Sequence, residues 1–167
     1  MSSRPIGATV IRPAGTTVVG PTGPTGAPAA RSAAVPAWPL QSFLRLAPAP
    51  ASVPAARRHM RRALTVWDLG RLADAAELVV SELVTNAVRA ALALAEPQPA
   101  ELWLAADPFR VAIGVWDGNP DPPLLARPGL TDESGRGLYL VEALSATWDW
   151  YPQDSGKVVR ALLGPGA

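Results

Sequence analysis

An α+β sandwich, one mostly antiparallel sheet with helices packed on one face, is the fold this sequence predicts. Three observations point to it. Strand-like and helix-like runs follow one another in the order strand, two helices, two strands, helix, two strands. One long Ala/Leu/Val-rich run is apolar nearly all round, as a helix buried on several sides must be. Hydrophobic residues make up 49% of the 167-residue chain and charged residues 17%, enough for one domain with a substantial core.

Residues 1–37 are rich in Pro, Gly, Thr and Ala and hold neither hydrophobic period, so they read as a disordered tail before a domain at 38–167. Gly15 and Gly20 have the glycine spacing of a phosphate-binding loop. Pro21 stands where that loop needs lysine, and no strand–helix context surrounds it, which rejects the match. Trp38–Leu46 reads as a short strand that Pro39 and Pro48 confine to a sheet edge.

Val53 to about Trp67 reads as a helix whose first turn tolerates Pro54. Its Arg57, Arg58, His59, Arg61 and Arg62 form a solvated face or a basic ridge for an acidic partner or phosphate oxygens. The central helix runs from about Arg71 to Ala95 without Pro or Gly. Glu96-Pro97-Gln98-Pro99 is a turn, and Ala100–Ala106 and Arg110–Trp116 form a hairpin around Asp107-Pro108. A loop from Asp117 to Ser134 leads to Gly135-Arg136-Gly137, which opens a helix over Leu138–Leu144. Ala146–Tyr151 and Lys157–Leu163 close the chain as strands around Asp154-Ser155-Gly156.

Composition narrows the function classes. With no cysteine and one histidine, thiolate and multi-histidine metal sites and a His-based triad are unexpected, and a reducing cytoplasm is the natural setting. No uninterrupted apolar run approaches the roughly 20 residues that span a bilayer, and the N-terminus lacks a compact signal core. Net charge is +1. Residues 1–50 carry Arg4, Arg12, Arg31 and Arg45 and no acid, so the remainder is mildly acidic. Direct binding of nucleic acid is therefore not expected.

Three motifs carry the chemistry. The central helix bears Glu82-x-x-x-Asn86, two polar groups on one face of an oily helix. Such groups are costly to bury without partners, and a ligand in a groove would supply them. Asp117-Gly118 follows a strand ending Val115-Trp116, and Gly135-x-Gly137 sits at a helix start. Taken singly, these are an ordinary polar stripe, a turn and a loose connection; their joint order is far more specific.

In that order and spacing they resemble the N, G1 and G2 boxes of the GHKL (Bergerat-fold) ATPases. The short, single-domain branch of anti-sigma-factor serine/threonine kinases is the nearer likeness. Ser81-Glu82-Leu83-Val84-Thr85-Asn86-Ala87-Val88 looks like that branch's N box and Gly135-Arg136-Gly137-Leu138-Tyr139-Leu140-Val141 like its G2 box. The likeness covers about Phe43 to Leu163. Two departures stand beside it. Ala90 replaces the His that often follows the N-box arginine, and the lid side of the G1 box reads Asp117-Gly118-Asn119-Pro120. His59 lies on the wrong side of the chain for a phospho-accepting hairpin and reads as a surface residue.

Each residue type suits its implied role. Mg²⁺ takes oxygen ligands and keeps waters, so the Asn86 amide oxygen suffices beside phosphates. Glu82 can take a proton from an attacking hydroxyl. Ionised Asp117 only accepts hydrogen bonds, which suits the exocyclic amine of adenine. Gly118, Gly135, Arg136, Gly137 and Leu138 complete the nucleotide site, with free N–H groups at the helix start for phosphate. The loop Asn119–Ser134 would be a lid.

The resemblance thus implies a cytoplasmic protein that binds ATP and Mg²⁺. Its partners would be a small anti-sigma-factor antagonist protein, phosphorylated on a hydroxyl, a sigma factor held in check, or both. It allows a homodimer through the sheet. Two other readings stand beside it: a docking module that regulates by binding alone, and an ATPase of a larger assembly.

Overall fold

The computed structural model describes residues 10–13, 38–123 and 136–165, the backbone alone at 10–13 and at Arg136. Its centre is α2 (Ala73–Leu92), introduced by a single 3-10 turn at Gly70–Leu72. Ala76, Val79, Val80, Leu83, Val84, Ala87, Val88 and Ala91 are all buried, the three- and four-residue spacing of one broad helical stripe. Leu78 and Leu92 are exposed, so the helix is apolar nearly all round in composition but not in burial.

That stripe faces a sheet. Strands β2 (Leu40–Leu46), β3 (Ala100–Ala106), β4 (Val111–Asp117), β5 (Thr147–Gln153) and β6 (Gly156–Leu163) pair antiparallel throughout. With the short β1 (Val10–Pro13) the order is β1-β2-β3-β4-β6-β5. Helices α1 (Ser52–Val66) and α3 (Arg136–Leu144) lie beside α2, completing the α+β two-layer arrangement that the sequence predicts. The core fills the space between the layers. Met60 and Leu64 from α1, Val80 and Val84 from α2, and Leu102, Leu104 and Ile113 from the sheet are fully buried. Each such side chain contributes on the order of 1.5–3 kcal/mol by leaving water.

From β2 onward the elements follow the expected order, with shifted ends; β1 was not expected. Asp117 is the last residue of β4 and not the first of a loop, and α3 begins at Arg136. Two readings need correction. Val10–Pro13 pairs antiparallel with Leu40–Phe43, so β2 is not the sheet edge along that stretch. Residues 1–9 and 14–37, with the rejected Gly15/Gly20 pattern, lie outside the described residues. His59 is not a surface residue. It is half-buried and shares a 2.8 Å hydrogen bond with Ser42 of β2, tying α1 to the sheet.

The arginines around it divide. Arg61 pairs with Glu77 and lies 3.5 Å from Asp74 across α2, whereas Arg58 and Arg62 are exposed. No helix among the described residues is long and apolar enough to cross a membrane.

Candidate functional site

Antiparallel pairing sets the site's floor. Val111, Ile113 and Val115 are buried on the core side of β4, and the period of two carries that row on to Asp117 at the strand's end. On β6 the matching row is Leu163, Ala161 and Val159, ending at Lys157. The register sets Asp117 directly opposite Lys157. The apolar rows therefore end in one acid and one base, both almost wholly buried, with residue exposures of 3% and 5%.

The two form an ion pair. Lys157 Nζ donates to Asp117 Oδ1 at 2.9 Å and to the Asn119 carbonyl oxygen at 2.9 Å. The Asn119 N–H also donates to Asp117 Oδ1, at 3.0 Å. Burial pushes the Asp117 carboxyl above its ordinary value, while the bond and charge of Lys157 and the Asn119 N–H pull it back. Gly156 allows this closeness: a Cβ there would overlap the Asp117 carbonyl.

A cavity of about 530 Å³ opens between this sheet end and the helices. Val115 and Val159 line it from the sheet, Leu83 and Ala87 from α2, and Leu138 from α3. Asp117 and Lys157 stand in one wall, and Asn86 with the exposed Arg89 in another. Its size suits a small-molecule ligand, and its mix of an apolar slot with a few polar groups is the usual character of such sites.

The predicted residues sort as follows. Asn86, Asp117 and Leu138 come together on the cavity, although 52 residues separate the first from the last. Glu82 is half-buried one turn before Asn86 and is absent from the cavity lining among the described residues. It lies against α3, where a Cβ on Gly137 would overlap its carboxylate. Gly137 thus makes room for Glu82. Gly118 is less constrained, since an added Cβ would meet only the flexible Gln98 side chain, at 3.3 Å. Gly135, the Arg136 side chain and lid residues 124–134 lie outside the described residues.

Among the described residues no three His, Asp or Glu side chains cluster to hold a metal. Among the described residues the cavity wall carries two side-chain amides, Asn86 and Asn119, and the Asn119 oxygen already accepts from the Asp121 N–H. That donor set fits Mg²⁺ sharing its shell with phosphate and water and does not fit a site built from protein alone.

Lys157 and Arg89 are on the cavity but not among the predicted site residues, and Asn119 was expected only as the start of a lid. The first had a signal. Lys157 is the chain's one lysine, all other Lys and Arg positions being arginine. A compact ammonium with three rotatable donors fits a buried corner where the forked guanidinium would not.

Compared with known proteins, residues 46–163 match the family model of the histidine kinase-like ATPase domain. An uncharacterized protein of Streptomyces coelicolor is 46% identical over 50 residues, or 29% of this chain. Those residues span 48% of that relative, so the chain covers about half its length.

Proposed function

The chain belongs to the histidine kinase-like ATPase domain family, and from that premise we propose that it is an ATP-binding regulatory protein of the anti-sigma-factor serine/threonine kinase type. In this reading it transfers the γ-phosphate of ATP to a hydroxyl of a small antagonist protein, sequesters a sigma factor, or does both. The observation that carries the proposal is the one cavity holding Asp117 and Asn86 on its walls, with Glu82 a turn away.

Adenine occupies the apolar slot between Val115, Val159 and Leu83, its exocyclic amine donating to ionised Asp117. The phosphates run towards Asn86, Arg89 and the start of α3, since a helix N-terminus favours anions. Asn86 holds Mg²⁺, which would offset phosphate charge. Glu82 takes the proton of the attacking hydroxyl as that oxygen bonds to the γ-phosphorus and the bond to the ADP oxygen breaks.

Binding is measured first. Calorimetry should find Mg²⁺-dependent binding of ATP and none of GTP. Asn86→Ala and Asp117→Asn should each weaken ATP binding by about tenfold or more, the worth of one lost charge-assisted contact. No binding of either nucleotide would overturn the proposal. Phosphoryl transfer is measured next with Glu82→Gln, which should slow it by about 10²–10⁴-fold and leave ATP affinity nearly unchanged. ATP binding without transfer to any candidate partner would favour the docking module.

A further inference from the structure

We propose that Lys157 reads the base: its ammonium donates a hydrogen bond to N1 of adenine while Asp117 accepts one from the exocyclic amine beside it. This rests on the adenine-nucleotide reading of the cavity and adds a residue to it.

An ammonium carries three N–H donors. Asp117 Oδ1 and the Asn119 carbonyl take two of them, each at 2.9 Å, and among the described residues nothing takes the third. Lys157 is buried and lines the cavity, so that third donor is next to the space the ligand fills. A buried N–H without an acceptor is unfavourable, and a base nitrogen would satisfy it.

The carboxylate is arranged to match. Both of its contacts from the protein, from Lys157 Nζ and from the Asn119 N–H, go to Oδ1. Among the described residues, Oδ2 is left to the ligand. The strand register sets the two side chains directly opposite each other at the ends of β4 and β6. The sheet end therefore presents an acceptor beside a donor. The pairing edge of adenine presents the complement, a donor at the exocyclic amine beside an acceptor at N1. Guanine in the same orientation would set its O6 acceptor against the carboxylate and its N1–H against the ammonium.

A lysine that merely holds Asp117 in place would show the same ion pair, so the test must isolate N1. Calorimetry with Mg²⁺ compares ATP with 1-deaza-ATP, in which a C–H replaces N1, on the full-length protein and on Lys157→Met. The unsubstituted protein should bind 1-deaza-ATP about tenfold or more weakly than ATP, the loss expected when a buried charged donor goes unpaired. In Lys157→Met the two nucleotides should bind within about threefold of each other, whatever the absolute loss.

Equal affinities in the unsubstituted protein overturn the proposal, and that arm needs no variant to fold. An undiminished preference in Lys157→Met overturns it too, assigning Lys157 to holding Asp117 alone. Should Lys157→Met not fold, Lys157→Gln keeps a neutral donor and should show a smaller N1 preference; an unchanged one overturns the proposal. Failure of ATP itself to bind would instead remove the nucleotide reading of the cavity.

Discussion

Asp117 illustrates how one residue's chemistry depends on its neighbours. Its carboxyl is raised above the ordinary value of 3.8 by burial, and Lys157 is the largest influence opposing that rise. In the proposed site the carboxylate would accept from adenine while ionised, so ATP affinity should fall as pH drops through the raised value. Lys157→Met removes the opposing charge, and the fall should then begin at higher pH. Calorimetric titrations from neutral to mildly acidic pH check this; identical profiles for the two proteins would show that Lys157 does not tune the carboxyl. In the sequence Asp117-Gly118 alone is an ordinary turn, and only its order with the Glu82/Asn86 helix and Gly135-x-Gly137 suggests a nucleotide contact. Its counter-ion was not legible, because the two are 40 positions apart and only strand register joins them.

At the scale of elements, α1 is held to β2 by a titratable contact. His59 is half-buried against Ser42, and burial foremost, with the Arg62 charge second, lowers its pKa from 6.5. The folded state thus favours the neutral ring more than the unfolded chain does. The stability this contributes is fully present above pH 6.5 and is lost as pH falls through the lowered value. His59→Gln, which keeps a hydrogen-bonding side chain without the titration, should flatten the dependence of Tm on pH over that acid range. Thermal melts at several pH values measure it, and parallel curves would remove His59 as the cause. The arginine-rich face of α1 was visible in the sequence as a helical pattern. Which residue of that run turns inward was not, because the helix phase is set by what packs on it.

Across the whole molecule, the family match begins at residue 46 and, among the described residues, the buried hydrophobic cluster at Leu46, so the folding unit should not require the N-terminal stretch. A chain beginning at residue 38 loses β1, a four-residue strand paired along β2. It should still unfold cooperatively in urea, with stability reduced by no more than about 2 kcal/mol, a few net backbone hydrogen bonds. It should also bind ATP as the full chain does. A shortened chain without a cooperative transition would make residues 1–37 part of the domain.

Fold class, the order of the elements from residue 38 onward and the three motifs around Asn86, Asp117 and Gly137 were legible in the sequence, whereas the strand at Val10–Pro13 was not. Hydrophobic period and turn chemistry are written within a few consecutive residues, where a helix and a strand differ plainly. Tertiary structure decided what each motif faces: Lys157 against Asp117, Gly137 against Glu82, and Ser42 against His59. Those pairings join segments up to 55 positions apart. They depend on strand register and helix phase, which become definite only when the buried faces meet.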